Sequence, residues 1–327
     1  MRPKISICIP TYNQKPEYLR ECIQSALRQR YEPLEVVVSE NHSTNDVLAV
    51  LSDFKDVRLR VVRPPAHLTM AQNFAFCASQ ATGEYLNFLS SDDLLHPDFC
   101  HRMAELLDAY PNLAFAHAAV SLVNEEGRII GYERSIHPSF LRSGREELQR
   151  YIWGQRNAFI AALVRRTAYE AVGGISTDLD MVGDWYLSLR LLTVGDVAYC
   201  SDVLAYYREW STAERRRRFV AQARDIRQLY ERLEASDIVD LIDGGRETLH
   251  KARKRNAISL AENLPVSVLS PTELMQAIQE IRLLNDSVSV RARLFLARAG
   301  FEPLFLARRR MREWLRQHVK LFLYPRA

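Results

Sequence analysis

The segment from Gly83 to Pro97 constrains the fold of this chain most strongly, because a strand-like run ends there at two adjacent carboxylates. Tyr85 to Leu89 is rich in aromatic and aliphatic residues, and Asp92 and Asp93 follow closely. Pro97 then suits the first turn of a helix. Ligands of open α/β sheets bind beyond the carboxyl ends of the strands. The pattern therefore predicts a functional site at this acidic pair.

Two interpretations of the acidic pair are open from these residues alone. Adjacent carboxylates repel each other unless a cation compensates their charge, and Mg²⁺ is often held by one or two carboxylates together with substrate phosphates. The same residues are also typical of a solvated turn in which Ser or Asp caps the next helix. The sequence around the pair favours the first interpretation.

Strand-like and helix-like segments alternate before Gly83. The apolar runs predict strands at 5–9, 34–38 and 57–62, and the helical periods predict helices at 16–30, 45–54 and 68–81. This order predicts an α/β fold with a mostly parallel sheet and helices on both faces. A GxGxxG fingerprint and a P-loop are absent after the first strand, which argues against a dinucleotide oxidoreductase and a P-loop NTPase.

Composition excludes several classes of protein. A content of 47% hydrophobic and 26% charged residues in 327 is typical of a globular chain. The five cysteines form no CxxC pair, which argues against a disulfide framework and a zinc site. No signal-peptide pattern and no apolar run of membrane-spanning length occur, so we expect a cytoplasmic protein or one on the cytoplasmic face of a membrane.

Basic charge is concentrated in the C-terminal third. Residues 215–327 contain 23 lysines and arginines against 13 acids, and residues 288–327 contain 10 against two. Apolar residues recur there at helical steps: Leu304, Met311, Leu315, Val319 and Phe322. This stripe predicts either peripheral contact with an anionic membrane or packing against protein, including a second copy in a homo-oligomer. No nucleic-acid-binding motif accompanies the charge, so we expect no nucleic-acid partner.

Eight segments in this order carry a family resemblance: Ile9–Asn13, Glu35–Asn45, Asn73, Ala81–Tyr85, Leu89–Asp93, Val172–Ile175, Gly183–Arg190 and Tyr206–Arg208. Together they resemble the successive motifs of glycosyltransferase family 2, over about residues 4–211. The resemblance implies a GT-A fold and an inverting transfer of a sugar from a nucleotide-diphosphate sugar, with a UDP-sugar preferred. The acceptor it implies is a cell-surface glycan or a lipid-linked precursor. Because the Gln-x-x-Arg-Trp motif of processive synthases is absent, we expect transfer of single sugars.

The resemblance also implies roles for individual residues. Nucleotide contacts fall on Pro10, Thr11, Tyr12, Asn13, Glu40, Asn41, Asn73 and Asp92. Mn²⁺ or Mg²⁺ falls on Asp93 as the preferred direct ligand and on Asp92. Four positions depart from the family pattern: Glu40 and Asn41 replace a pair of aspartates, Ser90 replaces the first aspartate of a D-x-D motif, and Trp210 replaces a histidine.

Asp184 is the candidate catalytic base. It lies between Gly183 and the apolar aromatic Trp185, where burial would raise its pKa and make it a better base. An aspartate before a helical run is equally typical of an N-cap. Trp153 and Trp185 are candidate acceptor contacts, although a tryptophan in a half-apolar segment such as that of Trp153 is usually largely buried.

The sequence predicts three regions: a nucleotide-sugar-binding half at 1–110, an acceptor-binding half with the base at 111–214, and a basic helical region at 215–327. Two other functions fit parts of the pattern. Ser90 and Trp210 are compatible with a protein that binds a nucleotide sugar without turnover. A sugar-phosphate nucleotidyltransferase shares a similar sheet but usually begins with a glycine-rich loop, which this chain lacks.

Overall fold

The computed structural model describes residues 3–132, 138–209 and 218–301. The chain divides into two compact units. Among the described residues, the first unit contains 3–132, 138–151 and 155–209, and the second contains 152–154 and 218–301.

The described part of the first unit is a sheet with flanking helices. Its strands are β1 (Ile5–Thr11), β2 (Leu34–Glu40), β3 (Leu59–Val62), β4 (Tyr85–Phe88), β5 (Leu94–Leu95), β6 (Leu113–Val123), β7 (Ile129–Tyr132), β8 (Phe140–Arg142), β9 (Ala162–Arg165) and β10 (Asp196–Arg208). Its α-helices are α1 (Pro16–Leu27), α2 (Val47–Ser52), α3 (Met70–Gln80), α4 (Phe99–Ala109), α5 (Gly144–Tyr151), α6 (Arg166–Ala171) and α7 (Gly183–Val194).

Strand order in the sheet is β3-β2-β1-β4-β9-β6-β10-β5, with β7 beside β6 and β8 beside β10. The parallel pairing predicted for β1 to β4 is confirmed. Strand β9 runs antiparallel between β4 and β6, and β10 runs parallel to β6. The whole sheet is therefore mixed, and the carboxyl ends of β1, β2, β4 and β10 lie along the same edge.

The central strands are apolar because both of their faces are covered. Every residue of β1 and β2 is buried, as expected for parallel strands between two layers of helices. Fully buried side chains such as Ile7, Leu86 and Phe88 belong to this core, and each contributes about 1.5–3 kcal/mol on burial. All five cysteines are free and buried.

Local sequence explains where several elements begin. Helix α1 starts at Pro16, as predicted, because proline tolerates the first helical position. Helix α3 begins after a capping box in which Thr69 and Gln72 bond reciprocally. Strand β3 is shorter than predicted, because Val57 is 99% exposed and lies outside it.

The second unit is helical in its described part. It contains α8 (Phe219–Glu234), α9 (Gly245–Glu262), α10 (Pro271–Leu284) and α11 (Val288–Leu296), with a short 3₁₀ turn at Asp237–Leu241 and a π-helical turn at Ala297–Phe301. The helical region predicted at 215–327 contains these helices in its described part. The apolar stripe from Leu304 to Phe322 lies outside the described residues. Within the described ranges, no helix is both long and apolar enough to cross a membrane.

At the amino-terminal edge of the sheet, a hydrogen-bond network around one carboxylate connects β1, β2 and the turn before β4. The carboxylate of Glu35 accepts hydrogen bonds from Ser6 Oγ, the Thr82 amide and hydroxyl, and Lys4 Nζ. Gly83 donates its amide to Ser6 Oγ, and a Cβ at this glycine would lie 2.6 Å from the Ser6 nitrogen. Burial alone would raise the pKa of Glu35, but these hydrogen bonds outweigh it and lower that pKa from 4.5 to about 2.

We expect Glu35→Gln to reduce the free energy of unfolding at pH 7 by up to about 3 kcal/mol, since each pKa unit corresponds to about 1.4 kcal/mol. A depressed carboxyl pKa stabilises the fold fully above pH 4.5, and this stabilisation is lost as the pH falls towards 2. Urea unfolding of both proteins at pH 7, 5 and 3.5 measures the difference, which should shrink only at the lowest pH. The exposed Glu17→Gln is the control, and an equal effect of both substitutions would contradict the network's role.

Candidate active site

The loops after β1 and β2 are hydrogen-bonded to each other. Asn13 has a φ of 48°, a conformation that asparagine tolerates better than most residues. Its side-chain oxygen accepts from the Thr44 backbone amide at 2.7 Å, and its backbone amide donates to Ser43 Oγ at 3.0 Å. The backbone amide of Asn41 donates to the backbone carbonyl of buried Thr11 at 3.0 Å. The two strand ends therefore form one continuous rim.

Glu40 and Asn41 are held by protein partners. Glu40 is fully buried, with one carboxylate oxygen accepting from the Ser43 amide and the other 3.0 Å from Arg63 Nε. The side-chain amide of Asn41 bonds both the amide and the carbonyl of Leu68, each at 2.8 Å. Both residues shape the rim, and direct contact of either with a nucleotide stays a prediction.

Tyr12 and Asn73 have contrasting environments. Tyr12 is 47% exposed, and its ring centroid lies 4.4 Å from that of His67. Asn73 is 3% exposed, and its side-chain oxygen accepts from Ser39 Oγ at 2.6 Å, which ties α3 to β2. Tyr12 therefore offers an aromatic face at the rim, whereas the amide of Asn73 is directed into the protein.

The acidic loop after β4 is partly buried. Asp93 is 1% exposed, its Oδ1 accepts from the Arg208 amide at 2.7 Å, and its own amide donates to the Ser90 carbonyl at 3.0 Å. Within the described part of the chain, Asp93 Oδ2 has no hydrogen-bond partner. Burial and the neighbouring Asp92 raise the pKa of Asp93 well above its ordinary value. Asp92 is half-buried.

The donor set of this loop fits a cation that is shared with a ligand. Among the described residues, no group of three or more His, Cys, Asp or Glu side chains could hold a metal ion. Two carboxylates, with one buried oxygen that receives no hydrogen bond, match the one or two protein ligands that Mg²⁺ uses beside substrate phosphates. The sequence favoured Asp93 as the direct ligand. Direct coordination by Asp93 or by Asp92 stays a prediction, because Asp93 carries the buried oxygen that has no hydrogen bond in the described part of the chain, whereas Asp92 is the more exposed of the two.

Asp184 lies inside the first turn of α7, where Val182 occupies the N-cap position without a side-chain cap bond. Its Oδ1 accepts from the adjacent Trp185 amide at 2.7 Å, and its Oδ2 accepts from the side-chain amide of Gln155. Asp180 accepts from the Ala71 amide at 2.8 Å and so ties the segment before α7 to the first turn of α3. The catalytic role of Asp184 stays a prediction.

The two candidate acceptor tryptophans differ in burial. Trp185 is 4% exposed, and its indole donates to the Tyr151 carbonyl at 2.8 Å, so its ring is part of the interior. Trp153 belongs to the second unit and is half-buried, with Arg255 5.8 Å from its ring centroid. Acceptor contact stays a prediction for both, and only Trp153 keeps an accessible surface.

Sequence reasoning assigned no role to two residues of this site. Gln155 lies 29 positions before Asp184 in an irregular segment, and no local pattern links the two. Arg208 belongs to the family resemblance, but its burial at 2% exposure depends on tertiary contacts. The sequence signal for Arg208 was its place in the Tyr206–Arg208 motif, which does not show that the side chain is buried.

Comparison with known proteins places this geometry in a class. The mannosyltransferase PcManGT from Pyrobaculum calidifontis, in complex with GDP-Man and Mn²⁺, superposes on this chain with a TM-score of 0.58 at 18% identity. The superposition covers 100% of this chain and 89% of that chain. Residues 1–349 of S. aureus TarS, in complex with UDP-GlcNAc, give a TM-score of 0.55 at 16% identity and cover 91% of this chain and 92% of that chain. The fold is that of GT-A glycosyltransferases.

Sequence comparison establishes the family. Residues 6–173 match the model of glycosyl transferase family 2, and the chain belongs to this family. An uncharacterized glycosyltransferase of Haemophilus influenzae is 26% identical over 190 residues, which cover 58% of this chain. The match spans 62% of that relative's length. Membership of this family excludes the alternative that the chain is a sugar-phosphate nucleotidyltransferase.

We expect Asn41→Ala to lower the free energy of unfolding by about 1–3 kcal/mol, because the part-buried amide and carbonyl of Leu68 would lose their partner. Chemical denaturation measures the change. Asn45→Ala is the matched control, since the Asn45 side chain makes an exposed hydrogen bond to the Gln14 carbonyl. If both substitutions have equally small effects, Asn41 does not hold the rim as described.

Proposed function

We propose that this glycosyltransferase moves a single sugar from a nucleotide-diphosphate sugar to a hydroxyl of a cell-surface glycan or lipid-linked precursor, with inversion at the anomeric carbon. The observation that carries the proposal is the acidic loop of Asp92 and Asp93, at the same sheet edge as the ends of β1 and β2. The complexes of TarS with UDP-GlcNAc and of PcManGT with GDP-Man support a nucleotide-sugar donor. A UDP-sugar stays the preferred donor.

Asp92 would bind Mn²⁺ or Mg²⁺ jointly with the donor diphosphate. A bound cation neutralises the charge that develops on the departing nucleoside diphosphate. Asp93 is the more buried of the two and anchors the loop to β10 by accepting from the Arg208 amide. The Mn²⁺ bound to PcManGT supports a divalent cation.

The rim would bind the nucleoside. Tyr12 offers an exposed ring for stacking on the base, as aromatic side chains do with π systems. Asn13, Glu40 and Asn41 keep the surrounding loops in place through their bonds to Ser43, Thr44 and Leu68. The rim is therefore formed before the donor arrives.

Asp184 would act as the general base for the acceptor hydroxyl. Gln155 donates to one carboxylate oxygen and the Trp185 amide donates to the other, so the group is held in one orientation. A positioned carboxylate of this kind removes the hydroxyl proton as the new glycosidic bond forms. Turnover by this route distinguishes the enzyme from a protein that only binds nucleotide sugars.

The second unit would bring the enzyme to its acceptor at a membrane surface. Val288 and Phe295 on α11 are 82% and 72% exposed, and the basic segment that follows suits an anionic surface. Contact of the same residues with a second copy of the chain is the alternative. Both stay predictions, as does a location on the cytoplasmic face.

We expect Asp92→Ala to abolish the gain in nucleoside diphosphate affinity that Mn²⁺ produces, while the free energy of unfolding changes by no more than about 0.5 kcal/mol. Asp93→Ala should instead lower the free energy of unfolding by about 1–3 kcal/mol, because the buried Arg208 amide would lose its acceptor. Calorimetry of UDP and GDP, with Mn²⁺ or with EDTA, measures the first effect. Retention of the Mn²⁺ gain in Asp92→Ala would refute this metal assignment.

We expect Asp184→Asn to reduce turnover about 10²-fold or more while donor affinity persists, because the amide cannot accept a proton. Donor hydrolysis across UDP-, GDP- and dTDP-sugars with Mn²⁺ and Mg²⁺ provides the assay. The acidic limb of the pH–rate profile should also disappear in this variant. Unchanged turnover would make Asp184 a structural residue, and binding without hydrolysis or transfer by the wild type would favour the binding protein.

A further inference from the structure

Arg208 is the last residue of β10, and its side chain is buried next to the acidic loop. Arginine is almost never fully buried unless it is paired. The guanidinium donates to the carbonyl of Asp92 from Nε at 3.0 Å, to the carbonyls of Asn124 and Glu125 from Nη1 at 3.1 and 2.8 Å, and to Glu21 Oε2 from Nη2 at 2.7 Å. Its central carbon also lies 4.1 Å from the ring centroid of Tyr18.

These contacts join three segments that are distant in sequence. The acidic loop, the turn after β6 and helix α1 all meet at this one side chain. The backbone amide of Arg208 adds a bond to Asp93 Oδ1 at 2.7 Å. Arg208 therefore holds both aspartates, Asp92 by its main-chain carbonyl and Asp93 by its carboxylate.

Holding the Asp92 carbonyl restricts the direction of its carboxylate. The guanidinium is planar and presents its donors in a rigid fork, so four acceptors are fixed relative to one another. Its positive charge also stabilises the Asp93 carboxylate and so offsets part of the repulsion that Asp93 experiences from Asp92. Both effects keep the loop in one arrangement before any ligand binds.

We propose that Arg208 is a positioning residue for the cation site and sets the acidic loop so that Asp92 meets a cation bound to the donor diphosphate. This inference rests on the proposed function. A role in fold stability alone would reduce nucleotide binding equally with and without metal. A positioning role affects the metal-dependent part selectively, as residues behind metal ligands do.

Arg208→Lys tests the proposal, because an ammonium keeps the charge but loses the fork. Calorimetry gives the affinity of the full chain for UDP and GDP in Mn²⁺ and in EDTA, and the ratio of the two affinities is the readout. We expect this ratio to fall by about 10-fold or more, whereas the affinity in EDTA stays within about twofold. An unchanged ratio, or an equal loss in both buffers, overturns the proposal.

Two further variants make the result decisive. Arg227→Lys is the matched control, since Arg227 is also mostly buried and bonded to Glu231 and Glu280 in the second unit; its ratio should match the wild type. Glu21→Gln weakens one partner of Arg208 at a carboxylate that is 52% exposed, so it should fold and lower the ratio by a smaller factor. If Arg208→Lys does not fold, an unchanged ratio in Glu21→Gln overturns the proposal. A wild type without any Mn²⁺ gain refutes the proposed metal use and the inference together.

Discussion

The burial of negative charge at the end of β4 is the constraint on which the rest of the site depends. Asp93 is almost completely inaccessible, and an ionised carboxylate in such a place is costly unless it is hydrogen-bonded and compensated. Strand β10 supplies both, because its last residue donates an amide to Asp93 and a guanidinium to the carbonyl of Asp92. The position of β10 in the sheet is thus tied to the chemistry of a loop more than a hundred residues earlier.

The candidate site residues form two groups: buried residues that bond to neighbouring protein groups, and residues that are partly exposed. Glu40, Asn41 and Asn73 are buried and use their polar atoms on neighbouring protein groups. Tyr12 is half-exposed and Asp92 is half-buried, so these two remain accessible to a donor. A family motif can therefore combine residues that shape a site with residues that contact the ligand, and burial separates the two groups.

Much of the first half of the fold could be predicted from sequence. Apolar runs and helical periods located β1 to β4 and the helices between them, because buried parallel strands carry a strong local signal. The antiparallel insertion of β9 between β4 and β6 was not predicted, since it depends on pairing between distant segments. Local sequence also could not predict which of the two aspartates is the more buried. The difference in burial between these adjacent residues arises from tertiary contacts, among them the bond from the Arg208 amide to Asp93.

A crystal structure with a nucleoside diphosphate and Mn²⁺ tests the central claim most directly, because the metal can be located by its anomalous scattering. Our account predicts a peak within about 2.0–2.6 Å of an Asp92 carboxylate oxygen, the range for oxygen ligands of divalent cations. The diphosphate should complete the coordination, and the base should lie against Tyr12. A metal peak away from Asp92, or a nucleotide bound at another edge of the sheet, would contradict the account.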